Sequence, residues 1–322
     1  MFSIQRSAHG TLQRGAVERG APWRQLAAAT VPASASACLQ QHQQHYHRQQ
    51  QQQYREMGSW PKVRPRRLRV ITCDITGTLL SFKGSLEEHY LGSAQKIGIQ
   101  LYPNVPIGKA FNKAYREMCT RYPCFGGNVL PAKEWWKLTV LRSFELANIT
   151  LTTEQQEAVF SRIYSRFGSL GAYEKFEDTL PFLHWVGRLN VRCGVLSNAD
   201  ERYGDSILPM LGVTHDELHF QLFSKDLGFE KPDPRCFAAV IKEGERMNHD
   251  REDPLLPGHC LHIGNDYTKD FEGARRAGMH AILLDRYDEE ELAQEWKRRG
   301  ALVFKDLMDV VLWLGQSGCK FG

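Results

Sequence analysis

The chain has no Cys-x-x-Cys pair, no long apolar run and, beyond its N-terminal part, no cluster of basic residues. Several of its eight cysteines lie within apolar, strand-like runs, which indicates reduced thiols in a cytosolic-type compartment. Even VVLWLG, near the end, is too short to span a bilayer, so we expect a soluble protein with no membrane partner. A net charge of +4 would favour nucleic acid only if basic residues clustered, so we expect no nucleic-acid partner.

Residues 1–66 differ in composition from the rest of the chain. Arg, Ala, Ser and Gln dominate, and the run QQHQQHYHRQQQQQY has no core-forming pattern, which predicts a disordered leader. Four arginines against one acid, Glu18, among the first 24 residues leave two interpretations open, a mitochondrial presequence and an untargeted tail. The second is favoured, so a cytoplasmic or nuclear location is expected ahead of a mitochondrial one.

The stretch RVITCDITGTLL, residues 69–80, is the one around which the fold is expected to form. Its apolar, β-branched run ends at Asp74, and Gly77 follows, which indicates a buried strand that delivers a carboxylate to a tight turn. Open α/β sheets bind their ligands at the carboxyl ends of parallel strands, so chemistry is expected to centre on Asp74.

Periodicity divides the remaining chain into a helical insert and an alternating part. Residues 85–176 contain four stretches with helical apolar spacing and are predicted to be helical throughout. Beyond them, the strand-like runs VRCGVL, FQLF, CLHIG and HAILLD alternate with helical patterns, which predicts a parallel sheet with helices on both faces. The predicted fold is therefore a doubly wound α/β core, residues 67–84 and 177–322, with an inserted all-helical cap, residues 85–176.

Polar residues follow the ends of four predicted strands. They are Asp74, Ser197 with Asn198, Lys231, and Asn265 with Asp266 and Asp270. Because the carboxyl ends of parallel strands share one edge of the sheet, we expect all four groups to meet in one crevice. In a phosphoryl-transfer site, Asp74 would attack phosphorus, Ser197 and Lys231 would hold equatorial oxygens, and the downstream carboxylates would hold Mg²⁺.

Some of these residues have an equally good structural interpretation. Ser197 and Asn198 fit an ordinary helix cap, and Asp270 is compatible with an N-cap that touches no metal. Lys231 is the stronger signal, because Pro232 disfavours a helical conformation at the lysine.

DITGT, the serine of LSNAD, the lysine before PDP, and GNDYTKD resemble, in this order, the four motifs of the haloacid dehalogenase superfamily over about residues 67–285. Within it, SNAD, GNDYTKDFEGARRAGM and the EWW of the cap are most similar to the group of haloacid dehalogenase-like hydrolase domain-containing protein 3, also called rhythmically expressed gene 2 protein. The resemblance implies a Rossmann-like core with a helical cap, and Mg²⁺-dependent hydrolysis of phosphate esters through an aspartyl-phosphate.

The resemblance also implies a role for each candidate residue. The catalytic residues would be Asp74, Thr76, Ser197 and Lys231. The substrate would contact Thr78 and Asn198. The Mg²⁺ ligands would come from Asp74, Thr76, Asn265, Asp266 and Asp270.

Thr76 is the first departure from the superfamily pattern. Phosphatases of the superfamily generally place a second Asp there, two residues after the nucleophile, as general acid and base. A threonine hydroxyl cannot do that work near neutral pH, and loss of a general acid and base typically costs about 10²- to 10⁴-fold in rate. A slow enzyme is therefore expected. DITGT also resembles the DKTGT of P-type ATPases, so we expect Asp74 to be phosphorylated faster than it is released.

The metal motif is the second departure. The group usually reads Gly-Asp-Asn, whereas this chain reads Gly264-Asn265-Asp266. The ligand position falls on Asn265, which supplies a neutral carbonyl, unless the loop slips by one residue and Asp266 with Asp270 restores the site. Intact and impaired metal binding both fit the sequence.

A slow Mg²⁺-dependent phosphatase of a small phosphorylated metabolite is the favoured function. The alternative is a binding or regulatory protein that keeps the phosphate pocket but has lost turnover. A haloacid dehalogenase, which needs no Mg²⁺, is third, because the DxTGT loop favours phosphorus chemistry. The substrate and the oligomeric state do not follow from the sequence.

Overall fold

A six-stranded parallel sheet forms the centre of the computed structural model, which describes residues 65–247 and 253–322. The strands of these residues are, in order, β1 (Arg67–Leu68), β2 (Val70–Cys73), β3 (Leu80–Phe82), β4 (Tyr173–Lys175), β5 (Arg192–Ser197), β6 (Phe220–Phe223), β7 (Cys260–Gly264), β8 (His280–Leu284), β9 (Val303–Phe304) and β10 (Lys320–Phe321). The sheet has the order β6-β5-β2-β7-β8-β9, and every neighbouring pair is parallel. β2 is therefore an interior strand, as its buried VITC run predicts.

Helices connect these strands and form the insert. They are α1 (Leu86–Gln95), α2 (Ile107–Arg121), α3 (Ala132–Leu146), α4 (Thr153–Arg166), α5 (Thr179–Gly187), α6 (Leu208–Met210), α7 (Ser224–Leu227), α8 (Pro234–Arg246), α9 (Gly273–Arg276), α10 (Glu290–Arg298) and α11 (Leu307–Gln316). Two π-helical turns, Tyr203–Ile207 and Tyr267–Glu272, follow the ends of β5 and β7. Wide turns of this kind are frequent at functional sites.

Helices cover both faces of the sheet. On one face, Ile71 of β2 packs in the same core cluster as Phe182 of α5 and Leu307 of α11. Side chains alternate along a strand, so the neighbouring positions point to the opposite face. There, Phe237 of α8 lies against His262 of β7, with ring centroids 5.7 Å apart. The predicted doubly wound α/β fold is confirmed.

The insert between β3 and β4 contains the four predicted helices, α1 to α4. Capping boxes start two of them, Ser85 at α1 and Thr152 at α4. The prediction of helix throughout 85–176 is wrong at β4, which pairs antiparallel with β3 and returns the chain to the core. Three residues are too few for periodicity to reveal a strand, and the pairing is fixed by the contact of Tyr173 with Phe82, whose ring centroids lie 5.3 Å apart.

Few helices and strands were predicted near the two ends of the chain. The predicted leader, 1–66, falls outside the described residues except for its last two. After β8, the structure adds α10, β9, α11 and β10, and β10 pairs parallel with β1. Across residues 65–247 and 253–322, no helix has the length and apolar character needed to cross a membrane.

Candidate active site

Asp74 directly follows β2, and the ends of neighbouring strands hold its carboxylate. Its backbone N–H donates to the Ile263 carbonyl of β7 at 2.8 Å. Its Oδ1 accepts from Lys231 Nζ at 2.8 Å and from Ser197 Oγ at 3.0 Å. No donor among the described residues contacts Oδ2, and the side chain is 14% exposed. Asp74 is thus fixed through one oxygen and presents the other.

The turn after Asp74 depends on Gly77. Its φ of +83° lies in the left-handed region that side chains disfavour, and its N–H donates to the Leu80 carbonyl at 2.7 Å. A Cβ at this position would lie 2.1 Å from Nδ2 of Asn265. The glycine therefore permits both the turn and the close approach of the Asn265 side chain.

The Gly77→Ala variant is expected to lose about 1–2 kcal/mol of unfolding free energy from the left-handed backbone alone. Displacement of Asn265 adds to this loss. Urea unfolding measures it. The matched control is Gly92→Ala in α1, where a Cβ meets nothing within 4 Å. That variant is expected to gain about 0.5–1 kcal/mol because alanine favours a helix. Equal changes in both variants would contradict the role of the turn.

Lys231 lies between two carboxylates. Its side chain is 2% exposed, and Nζ donates to Asp74 Oδ1 and, at 2.6 Å, to Asp270 Oδ1. Burial lowers the pKa of Lys231, but the charges of Asp270 and Asp74 outweigh it and the pKa is raised. The lysine is therefore a fixed positive charge beside the candidate nucleophile.

Asn198 holds the backbone of Lys231. Its Oδ1 accepts from the Lys231 N–H at 2.7 Å, and its Nδ2 donates to the Lys231 carbonyl at 2.9 Å. These two bonds occupy both ends of the amide. Asn198 thus positions the lysine loop, and its substrate contact stays a prediction.

Asp270 is buried and surrounded by donors. Its Oδ1 accepts from Lys231 and from His262 Nε2 at 3.1 Å, and its Oδ2 accepts from the N–H groups of Asn265 and Asp266 at 3.0 and 2.9 Å. Burial raises the pKa of Asp270, but Lys231 and His262 outweigh it and the pKa is lowered. With both oxygens engaged, Asp270 is the counter-charge of Lys231 in this structure, and its metal role stays a prediction.

His262 connects Asp270 to the sheet. Burial lowers the pKa of His262, so the ring is neutral at neutral pH. An ionised carboxylate only accepts, so Nε2 must carry the hydrogen that is donated to Asp270. Nδ1 then accepts from the hydroxyl of Thr72 at 2.9 Å. β2 and β7 thus set the orientation of Asp270 through adjacent, paired residues.

Asp266 faces the start of the π-helical turn Tyr267–Glu272. Its Oδ1 accepts from the N–H groups of Thr268 and Lys269 at 3.0 and 2.8 Å, and its Oδ2 pairs with Lys269 Nζ at 3.2 Å. The carboxylate therefore caps this turn. Its role as a metal ligand stays a prediction.

Thr76 and Thr78 have different surroundings. The hydroxyl of Thr76, which is partly exposed, lies 3.2 Å from the hydroxyl of Tyr203. Thr78 is fully buried, and its carbonyl accepts from Arg286 Nη2 at 2.6 Å. Arg286 also pairs with Asp178 at 2.6 Å. Thr78 therefore anchors the Asp74 loop to Arg286 through its backbone carbonyl, and its substrate contact stays a prediction.

The cap contacts the core next to Ser197. Trp136 of α3 donates from Nε1 to the buried Asp200 at 2.6 Å. Arg202 pairs with Asp200 through two nitrogens and lies over the rings of Trp136 and Tyr164, 5.3 and 4.5 Å from their centroids. These contacts join the EWW and SNAD stretches and place the cap beside the crevice.

The motif order and this geometry agree with a comparison to known families. The sequence model of the haloacid dehalogenase-like hydrolases matches residues 68–278, about two thirds of the chain. The chain belongs to the haloacid dehalogenase-like hydrolase family. The predicted resemblance is confirmed.

Relatives within the family include the predicted group. Human haloacid dehalogenase-like hydrolase domain-containing protein 3 is 29% identical over 219 residues, which cover 68% of this chain and 82% of the relative. The rhythmically expressed gene 2 protein of Drosophila melanogaster is 26% identical over 228 residues, which cover 68% and 83%.

Solved structures of family members share the fold. The putative HAD-hydrolase YfnB from Bacillus subtilis bound to magnesium has a TM-score of 0.54 at 13% identity and covers 77% of this chain and 99% of its own. L-2-haloacid dehalogenase from Xanthobacter autotrophicus has a TM-score of 0.54 at 14% identity, with the same coverage. At these identities the likeness shows the fold alone, and it supports the Rossmann-like core of this family.

Few side-chain oxygens near Asp74 remain as ligands for Mg²⁺. Asp266 and Asp270 have other partners, and no group of three or more His, Cys, Asp or Glu side chains in the described residues could hold a metal ion. Asp74 Oδ2 and the amide of Asn265, which packs on Gly77, are left. One carboxylate with water and substrate oxygens is a donor set that Mg²⁺ accepts. Such a set fits Mg²⁺, and the metal roles of Asp74, Thr76, Asn265, Asp266 and Asp270 all stay predictions.

Sequence reasoning missed three residues of this family site, Tyr203, His262 and Arg286. His262 lies within the predicted strand CLHIG, and its contact with Asp270 becomes visible only in the structure. Tyr203 gives a weak signal, a tyrosine six positions after Ser197. Arg286 lies one residue past the last predicted strand, HAILLD, and gives none.

Proposed function

We propose that this hydrolase acts slowly on a small phosphate monoester, with Asp74 as the nucleophile. One observation carries the proposal: Lys231 and Ser197 hold one oxygen of Asp74 while its other oxygen has no donor. A carboxylate fixed in this way is oriented for attack, and the same two donors lie within reach of the oxygens of a bound phosphate.

Charge is the main obstacle to this reaction. A carboxylate and a phosphate dianion repel each other, and the Lys231 ammonium reduces that repulsion at the point of attack. Asp270 keeps the ammonium charged and in place through its 2.6 Å contact. Mg²⁺, held by Asp74 and Asn265 when bound, would supply further neutralisation.

Two covalent steps complete the reaction. In the first, an oxygen of Asp74 bonds to phosphorus as the ester P–O bond breaks, and the electron pair leaves with the alcohol oxygen. In the second, water attacks the aspartyl-phosphate and frees Asp74 and inorganic phosphate. Thr76 cannot serve as an acid with a matched pKa in either step, so both are expected to be slow.

A second candidate function is a phosphate-ester binding or regulatory protein without turnover. Two observations favour it. Position 76, where the family generally has an acid, holds a hydroxyl that contacts Tyr203, and the carboxylates of Asp266 and Asp270 have hydrogen-bond partners within the chain. The pocket for a phosphate would persist in such a protein, because Lys231 and Ser197 remain.

An assay with the full chain separates the two functions. The chain is incubated with Mg²⁺ and an aryl phosphate, phosphate release is followed, and acid-quenched samples are examined for phosphorylated Asp74 by mass spectrometry. We expect slow release by the parent and none by Asp74→Asn. Thr76→Asp is expected to be about 10²-fold faster, the lower range for general acid–base catalysis.

The outcomes are distinct. If Asp74→Asn retained the parent's rate, the proposed nucleophile would be excluded. Binding of a phosphate analogue without turnover, by parent and Thr76→Asp alike, would establish the second function. If chelation of Mg²⁺ left the rate of phosphate release unchanged, Lys231 alone would supply the positive charge that the reaction needs.

A further inference from the structure

Thr76 and Tyr203 form a hydroxyl pair at the edge of the crevice. Asp74 and Thr76 are both partly exposed, whereas Ile75 between them is buried. The two hydroxyl oxygens of Thr76 and Tyr203 lie 3.2 Å apart. Tyr203 begins the π-helical turn after β5, the strand that also delivers Ser197. Two strand ends therefore meet at this pair.

Tyr203 packs against the two-stranded sheet of β3 and β4. Its ring meets that of Tyr173 of β4 edge to face, with centroids 5.8 Å apart. β3, which pairs with β4, follows the Asp74 loop, and Thr76 forms a bridge to Leu80 of β3. The positions of Tyr203 and Thr76 are therefore linked through this two-stranded sheet. The Tyr203 hydroxyl can then orient the rotatable hydroxyl of Thr76.

Either hydroxyl of the pair can be the donor in this contact. The phenol of Tyr203 carries one hydrogen that it can donate. A threonine hydroxyl has one hydrogen and two lone pairs. When Tyr203 donates to Thr76, the hydrogen of Thr76 is left for an oxygen in the crevice.

We propose that Tyr203 is a positioning residue that aims the Thr76 hydroxyl at the leaving oxygen of the ester. The inference rests on the proposed function and explains how the site works without a carboxylic acid at position 76. As the ester P–O bond breaks, the electron pair moves to the leaving oxygen, and the hydrogen bond from Thr76 stabilises the growing charge.

One water molecule balances this reaction. It gives its proton to the leaving alkoxide, and its hydroxide attacks phosphorus in the second step. The products are the alcohol, inorganic phosphate and free Asp74. Thr76 and Tyr203 keep their hydrogens throughout, which suits hydroxyls whose pKa values lie far above neutral pH.

A hydrogen-bond donor at Thr76 can be detected by comparing esters whose leaving groups differ in basicity. Nitrophenolate is a stable anion and needs little help, whereas phenolate is more basic and gains more from a hydrogen bond. We expect Tyr203→Phe to lower kcat/KM for phenyl phosphate about three- to tenfold, the range for one hydrogen bond. The value for p-nitrophenyl phosphate is expected to change by less than twofold, because that leaving group gains little from the donor. The ratio kcat/KM is used because it reports the first step even when release from Asp74 limits kcat.

Two further variants sharpen the experiment. Thr76→Val is expected to reproduce the effect, and the double variant with Tyr203→Phe is expected to be no worse than Thr76→Val alone, since both act through one hydrogen bond. Tyr102→Phe, which removes a cap hydroxyl bonded to the Ala147 carbonyl, is the control and is expected to match the parent for both esters.

Each result decides between explanations. An equal fall for both esters in Tyr203→Phe means a structural role and overturns this inference, while the proposed function stands on the loss of activity in Asp74→Asn. Additive effects of the two single variants also overturn it. If the parent shows no Asp74-dependent phosphate release, both the inference and the proposed function fail.

Discussion

Replacing Lys231 with methionine is expected to lower the free energy of unfolding by about 3–5 kcal/mol and to abolish phosphate release. Lys231 is the only described cation that contacts both Asp74 and Asp270. Without it, Asp270 is a buried carboxylate with no ammonium partner, and Asp74 loses one of its two donors. The remaining acceptors repel each other in a region with little water.

Urea unfolding of the full chain measures the loss. The matched control is Lys305→Met, because Lys305 forms a 2.8 Å ion pair with Asp288 in which both side chains are more than 70% exposed. An exposed pair contributes little to stability, so the midpoint of the control is expected to stay where the parent has it. Equal midpoints for Lys231→Met and the control would show that the lysine is not essential to the fold.

Combining Lys231→Met with Asp270→Asn tests why the loss occurs. If an uncompensated charge is the cause, removal of that charge restores part of the stability, and the double variant is more stable than the sum of the single changes predicts. Additive losses would indicate packing defects at two sites. Phosphate release is expected to stay absent in the double variant, because the catalytic cation is still missing.

The sequence was sufficient for the part of the site that depends on strand ends. Asp74, Ser197 and Lys231 were predicted to converge, and they do, at 2.8 and 3.0 Å. A buried β-branched run followed by a carboxylate and a glycine has few alternatives, since its residues fit a central parallel strand. Gly77 also follows the pattern, because its φ of +83° is one that glycine readily adopts.

Roles that depend on backbone donors were not predictable in the same way. Asp266 and Asp270 carry the same chemical group, and their spacing suits a metal site. The structure distinguishes them by which N–H groups they accept, Thr268 and Lys269 for the first and Asn265 for the second. Those contacts follow from the conformation of one π-helical turn, which the residue pattern does not specify.

Contacts between distant segments were also hidden. The link of His262 to Thr72 needs the register of β7 on β2, because a shift of β7 by one residue would turn the His262 side chain to the opposite face of the sheet. The contact of Tyr203 with Thr76 joins two loops more than 100 residues apart. Periodicity describes single segments, so it does not report such pairs.

Asp270→Asn is expected to lower stability at neutral pH by about 3 kcal/mol or more, because it removes one partner of a buried ion pair. It also places an amide against two N–H groups that now donate to Oδ2. The control is Asp266→Asn, whose side chain is 40% exposed and whose capping role asparagine can maintain. A small change in the control and a large one at Asp270 are expected in urea unfolding.

The same variant is expected to alter the acid dependence of stability. Burial favours the neutral acid, but Lys231 and His262 lower the pKa of Asp270 in the folded chain. The unfolded chain therefore binds this proton first, and the stability from the ionised carboxylate is present above the unfolded pKa of about 4 and is lost as pH falls below it.

Below that pH, one group contributes a slope of up to about 1.4 kcal/mol per pH unit, which Asp270→Asn removes. His262, whose pKa burial lowers, acts in a separate window, because its contribution declines as pH falls below about 6.5. The difference in slope between the parent and Asp270→Asn from about pH 4 to 2 thus reports this carboxylate. If the parent and Asp270→Asn lost stability with equal slopes in this pH range, Asp270 would not be the ionised partner of Lys231. Another group would then have to hold the Lys231 ammonium beside Asp74.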